Sequence, residues 1–187
     1  MFLGKRTKIV MQIHYYTNVS TEPDQTTIGL YYSKGNVSQR LLFLPLIQTR
    51  LDIPPDNPKY AATASLLIPP LLDMKVINIF PHMHLLGTDI KVEANTLGKT
   101  NSLIWIDKWD FNWQGAYTYT EPVPLSAFTN LRATCTYDNS TANPRNPANP
   151  PKRVRWGEGT EDEMCVVFLG VTLDRETSLF RQPAKQK

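Results

Sequence analysis

KVINIFPHMHLLGTDIKVEA, residues 75–94, reads as strand, turn, strand. Lys75 to His84 is rich in Val, Ile and Phe, Leu85 to Asp89 interrupts it around a glycine, and Ile90 to Ala94 alternates apolar and charged residues with period two. The same punctuation recurs on both sides. Lys8 to Tyr16, Thr26 to Tyr32, Arg40 to Leu44, Tyr60 to Ile68, Ser102 to Trp109, Leu131 to Tyr137 and Met164 to Leu173 are short, rich in β-branched and aromatic residues, and parted by Pro, Gly, Asn and Asp. No capped 3.6-residue apolar stripe of any length interrupts them, which disfavours a βαβ plan. The expectation is an all-β, antiparallel, jelly-roll-like β-sandwich.

Composition bounds the class. A chain of 187 residues with 41% hydrophobic and 20% charged residues can bury a core, and it is not of disordered composition. No run of about eighteen apolar residues offers a membrane span. The formal charge of +3 is scattered, and Lys152, Arg153 and Arg155 are too short a run for a nucleic-acid stripe, so nucleic acid is not expected as a partner. The residues after Met1 lack the apolar core of a signal peptide. Lys8 to Tyr16 reads as a strand in mid-domain, so a partner domain is expected to precede it. Residues 1–174 are read as one β-sandwich domain and 175–187 as a flexible tail. DNSTANPRNPANPP, residues 138–151, holds several of the fifteen prolines and is expected to be a long surface loop within that domain. Asn18, Asn36 and Asn139 open N-x-S/T sequons, which carry no meaning in a bacterial protein.

Of three histidines, two stand in PHMHLLG as His82 and His84. On a strand, residues i and i+2 share a face, so both imidazoles would converge while Met83 points away. That is a pair of metal ligands, or one half-buried and one surface histidine. The next carboxylate, Asp89, falls where a turn is expected. The remaining candidate ligand is Met164, a thioether among acids in TEDEMC. It would suit soft Cu(I) beside imidazoles, or it could simply begin the last strand as core.

PHMHLLG followed far downstream by EDEMC resembles the carboxy-terminal domain of the type II, ascorbate-dependent copper monooxygenases, the family of the peptidylglycine α-hydroxylating and dopamine β-monooxygenases. The resemblance implies that His82, His84 and Met164 hold the copper at which dioxygen is activated. MQIHYY is similar to the family's QxHY strand, which would place His14 on a second, electron-supplying copper together with two histidines of an amino-terminal domain. These motifs span about Lys8 to Leu173 and are specific in combination. WDFNWQ and the Asn-Pro loop look closest to bacterial members, some of which fuse this domain to redox modules. The implied cofactors are copper and ascorbate, or another one-electron donor. The implied partners are dioxygen, a small-molecule substrate, and the amino-terminal copper domain or a fused redox module.

The chain also departs from the pattern. No His-His pair precedes His14, so that second site is incomplete here. Where the peptide-processing members use Arg, Asn and Tyr to hold a substrate carboxylate, this chain has Phe80, Val166 and Phe168. A carboxylate there would meet hydrophobic surface at a cost of several kcal/mol. An apolar or aromatic substrate is expected instead, hydroxylated at a C–H bond. Cys135 and Cys165 look like the family's disulfide, worth roughly 3–4 kcal/mol by loop closure and implying a periplasmic or secreted location; two buried thiols are the alternative. Trp105, Trp109, Phe111, Trp113, Tyr117 and Tyr119 could line a channel, but such a run is more often core and strand edge. The competing function is a non-enzymatic copper-binding domain for storage, delivery or sensing; a metal-free interaction module ranks third.

Overall fold

The computed structural model describes residues 3–13, 15, 21–35, 37, 39–70 and 72–174. Contacts divide the chain into one unit up to Arg40 and a second from Leu41 on. Among the described residues there is no helix, and ten strands lie in the second unit: β1 (Leu42–Ile47), β2 (Asp52–Ile53), β3 (Asn57–Leu67), β4 (Met74–His82), β5 (Gly87–Thr96), β6 (Lys99–Ile106), β7 (Tyr117–Leu125), β8 (Asn130–Asn139), β9 (Val154–Arg155) and β10 (Val166–Leu173). They form two four-stranded antiparallel sheets, ordered β1-β10-β4-β7 and β3-β8-β5-β6, with β2 and β9 as a short pair.

Alternation explains the two layers. In β5, Ile90, Val92 and Ala94 are buried while Lys91, Glu93 and Asn95 are not, and in β8 Leu131, Ala133 and Cys135 are buried between exposed Asn130 and Arg132. Val76 and Ile79 of β4 and Val167, Leu169 and Val171 of β10 join these in one hydrophobic cluster, so each sheet turns its apolar face to the other. The disulfide Cys135–Cys165 stitches β8 to the segment leading into β10. It closes the loop 138–151, which is ordered by its own amides. Asn143 and Asn146 side-chain oxygens accept the N–H groups of Arg145 and Ala148, and the fully buried Asn139 amide donates to the carbonyls of Pro54 and Lys152. That burial leaves the sequon at Asn139 no room for a glycan.

Three expectations are corrected. Residues 8–13 and 15 of the segment Lys8 to Tyr16, and all of Thr26 to Tyr32, are exposed and irregular, not strands. Strand propensity registers fit to a paired, half-buried surface, and the described residues of these segments are not part of a strand ladder. Tyr117–Leu125, read from sequence only as aromatics, is strand β7. Its Pro122 and Pro124 mask it; they are tolerated because β7 is an edge, as is β1 with Pro45. Asp89 lies within β5 rather than on a turn. The tail 175–187 lies outside the described residues.

Candidate metal centre

β4 ends at His82, and the alternation persists two residues further. Met83 enters the core with no exposure, while the imidazoles of His82 and His84 meet edge to face with centroids 5.0 Å apart. His82 is half-buried and His84 buried.

Each ring is held at Nδ1. His82 Nδ1 lies 2.6 Å from Gln114 Oε1, and the Gln114 amide nitrogen donates to the carbonyl of Phe111 at 2.7 Å, which orients its oxygen toward the imidazole. His84 Nδ1 lies 2.9 Å from the carbonyl oxygen of Asp162. Both partners are acceptors only, so both Nδ1 atoms carry a proton, and in the neutral form of each ring the lone pair is on Nε2. Burial, countered in part by the Gln114 bond and aided by the neighbouring His84, moves His82 below the usual histidine range, which favours the neutral imidazole that a metal requires. Phe111 stands edge-on to His84 at 6.0 Å.

Met164 is brought alongside by Glu163. That carboxylate is fully buried; its Oε2 accepts the N–H groups of His84 at 2.9 Å and Met164 at 3.2 Å, and its Oε1 accepts that of Leu86 at 2.6 Å. Burial pushes its carboxyl up to about 7, against the pull of four backbone donors, the fourth being Gly87. The register agrees: Val166 pairs with His82, so continuing the ladder past the end of β10 sets Met164 opposite His84. From the other sheet, the buried Tyr137 hydroxyl donates to the Met164 carbonyl at 2.8 Å, and burial raises that phenol well above its ordinary range. With the disulfide at Cys165, the Met164 backbone is held on three sides.

The loop after His84 has its own brace. Trp109 donates its indole N–H to the His84 carbonyl at 3.2 Å, and Arg145 of the Asn-Pro loop donates to the carbonyls of Trp109 at 2.7 Å and Gly87 at 3.3 Å. Gly87 has to be glycine. A Cβ there would stand 2.8 Å from the Trp109 ring and 2.9 Å from the Met83 methyl.

Among the described residues, no group of three or more His, Cys, Asp and Glu is placed to hold a metal ion. His82 and His84 present their Nε2 atoms at this corner, and the Met164 backbone is held next to that of His84 by Glu163. His14 lies outside the described residues. Phe80 pairs with Phe168 and His82 with Val166 across β4 and β10, and Pro45 and Ile47 of β1 continue those two rows. Val166 is buried, Phe168 is exposed, and neither belongs to the core cluster, so the apolar rows lie on the outer face of the sheet and lead up to His82. Glu163, Gln114, Tyr137 and Arg145 were not singled out from the sequence as parts of this site, and Trp109 was named only among aromatics that line a channel or fill the core. Only Glu163 left a signal, an acid next to the candidate ligand.

Two comparisons bear on this geometry. A search of curated proteins returns no match. Residues 42–172, from the first strand almost to the end of the last, match the family described as copper type II ascorbate-dependent monooxygenase, C-terminal domain. The match covers well over half of the chain, and the chain belongs to that copper monooxygenase family.

Proposed function

We propose that His82, His84 and Met164 hold one copper ion, and that the chain is the oxygen-activating domain of a monooxygenase that hydroxylates a C–H bond of an apolar or aromatic small molecule. The observation that carries the proposal is the pair of Nδ1–H bonds, which leave the two Nε2 atoms available; with the Met164 thioether they would make a set that suits copper in both oxidation states. When bound, copper supplies the one-electron chemistry of dioxygen. The residues of this chain supply the rest. Gln114 and the Asp162 carbonyl fix the tautomers, Glu163 and Tyr137 hold the thioether-bearing backbone, and Phe80, Val166 and Phe168 would give the substrate an apolar wall.

The eight long strands divide four and four, in the orders given above, as two interlocked Greek keys would, so we read the sandwich as a jelly roll. A fully buried disulfide beside the ligands suits an oxidising, extracytoplasmic compartment. His14 would serve a second copper completed by an amino-terminal domain, with ascorbate or a fused redox module as the electron source.

X-ray absorption of the Cu(I)-loaded chain tests the ligand set: a sulfur scatterer is expected, and Met164→Ile should remove it. A spectrum without sulfur, or one indifferent to that substitution, excludes Met164. The activity is tested with the full-length gene product by ascorbate-dependent oxygen consumption on a phenyl-substituted alcohol and on the matching phenyl carboxylate. Coupled turnover favouring the alcohol is expected. Copper binding without turnover on either would leave a copper-binding domain.

A further inference from the structure

The sheet that does not carry His82 has an unused outer face, and its register sets out what stands there. The outward residues of β5 are Lys91, Glu93 and Asn95. Lys91 pairs with Trp105 and Thr134, Glu93 with Ser102 and Arg132, and Asn95 with Thr100 and Asn130. The face is not flat: Glu93, Asn95, Thr100, Asn130 and Arg132 line a half-open cavity of about 470 Å³. That is within the usual range for small-molecule sites, roughly 300–1,000 Å³.

The lining narrows the ligand class. All five side chains are polar, so an apolar molecule gains nothing there. Glu93 and Arg132 stand directly opposite each other on neighbouring strands, so a phosphate would meet the carboxylate and a metal cation the guanidinium. Two amides, one hydroxyl and a balanced pair of charges offer donors and acceptors in nearly equal measure, which suits a neutral molecule dense in hydroxyl groups. One row along the sheet, about 7 Å from Glu93 by strand geometry, stands Trp105. Its side chain is 62% exposed. The indole is braced: Lys91 Nζ lies 5.7 Å from the ring centroid and is itself held by Glu93 at 2.6 Å, so one residue ties the platform to the cavity. An exposed, anchored indole beside a polar cleft presents the apolar surface that the C–H face of a sugar ring covers, while the cleft takes its hydroxyls.

We propose that this face is a carbohydrate-binding groove for a neutral oligosaccharide of two or more sugar units, with Trp105 as the stacking platform and Glu93, Asn95, Asn130 and Arg132 as hydroxyl partners. It would tether the domain to a glycan while leaving the opposite sheet, with the candidate copper ligands and the apolar rows, free to work.

The test is a titration of the copper-free chain with cellotetraose, maltotetraose and N,N′,N″-triacetylchitotriose, followed by backbone and indole N–H shifts. At least one should give saturable shifts at Asn95, Asn130, Arg132 and the Trp105 indole, with a dissociation constant below about 10 mM. Trp105→Ala and Arg132→Ala should each weaken it about tenfold or more with the rest of the spectrum unchanged. Three results would overturn the groove: no saturable shift from any of the three sugars, saturation by inorganic phosphate at the same residues instead, or sugar binding that survives both substitutions. None of them depends on copper, so this inference and the proposed oxygenase stand or fall separately.

Discussion

Glu163→Gln probes what holds the candidate copper ligands together. The carboxylate accepts four backbone N–H groups, from His84, Leu86, Gly87 and Met164, with no water-facing surface to compensate a loss. An amide of the same shape keeps one acceptor oxygen and turns an NH₂ group toward the remaining donors. If the oxygen takes the place of Oε2, Leu86 faces a donor; if it takes the place of Oε1, His84 and Met164 do. Each buried donor left unmet costs about 1–3 kcal/mol, and relief of the buried charge offsets part of that, so a net loss of about 2–3 kcal/mol is expected. Against a total stability of about 5–15 kcal/mol for a domain, such a loss is easily measured. Urea unfolding of the oxidised protein should show a lower midpoint with an unchanged slope. Because His84 and Met164 hang on the same oxygen, Cu(I) affinity should also fall, by about tenfold to a hundredfold. A stability change under about 0.5 kcal/mol, or an unchanged copper affinity, would refute the claim that this carboxylate joins the two halves of the site.

Three further outcomes follow from the geometry. Replacing Cys135 and Cys165 together by Ala should cost about 2–4 kcal/mol in thermal or urea unfolding, since the bridge links the two sheets across a thirty-residue separation. Gln114→Leu removes the acceptor of His82 Nδ1–H and frees the ring to change tautomer; copper affinity, measured by competition with a chelator, should drop about tenfold while the Met164 sulfur signal persists. Gly87→Ala drives a methyl into the Trp109 ring and the Met83 side chain and should destabilise by about 1–3 kcal/mol, whereas Gly98→Ala, at a turn with φ of +80° and open space around it, should cost about 1 kcal/mol through backbone strain alone, with Gly98→Asn costing less.

How far the sequence could be read depended on whether the deciding contacts were local. β5 was legible because Ile90-Lys91-Val92-Glu93-Ala94 alternates strictly, and the alternation maps one to one onto core and solvent. The histidine pair was legible for the same reason: period two carries His82 and His84 to one face and Met83 to the other, whatever lies across from them. β7 was not, since Pro122 and Pro124 argue against a ladder and only the sheet order reveals an edge that tolerates them. Lys8 to Tyr16 and Thr26 to Tyr32 failed in the opposite sense, having the composition of strands while their described residues are exposed and irregular. Glu163 marks the deeper boundary. In TEDEMC three acids look alike, yet the structure leaves Glu161 and Asp162 exposed and buries Glu163 completely, its carboxylate accepting the N–H groups of His84 and Leu86 from a segment about eighty residues away in the chain. Gln114, thirty-two positions from the ring it orients, is equally invisible to any window short enough to show periodicity. The candidate ligands of such a site can be picked out from short motifs and the resemblance those motifs carry. The groups that fix their tautomers and backbone arrive from β8, the Asn-Pro loop and the turn before β7, and only the fold brings those segments to the end of β4.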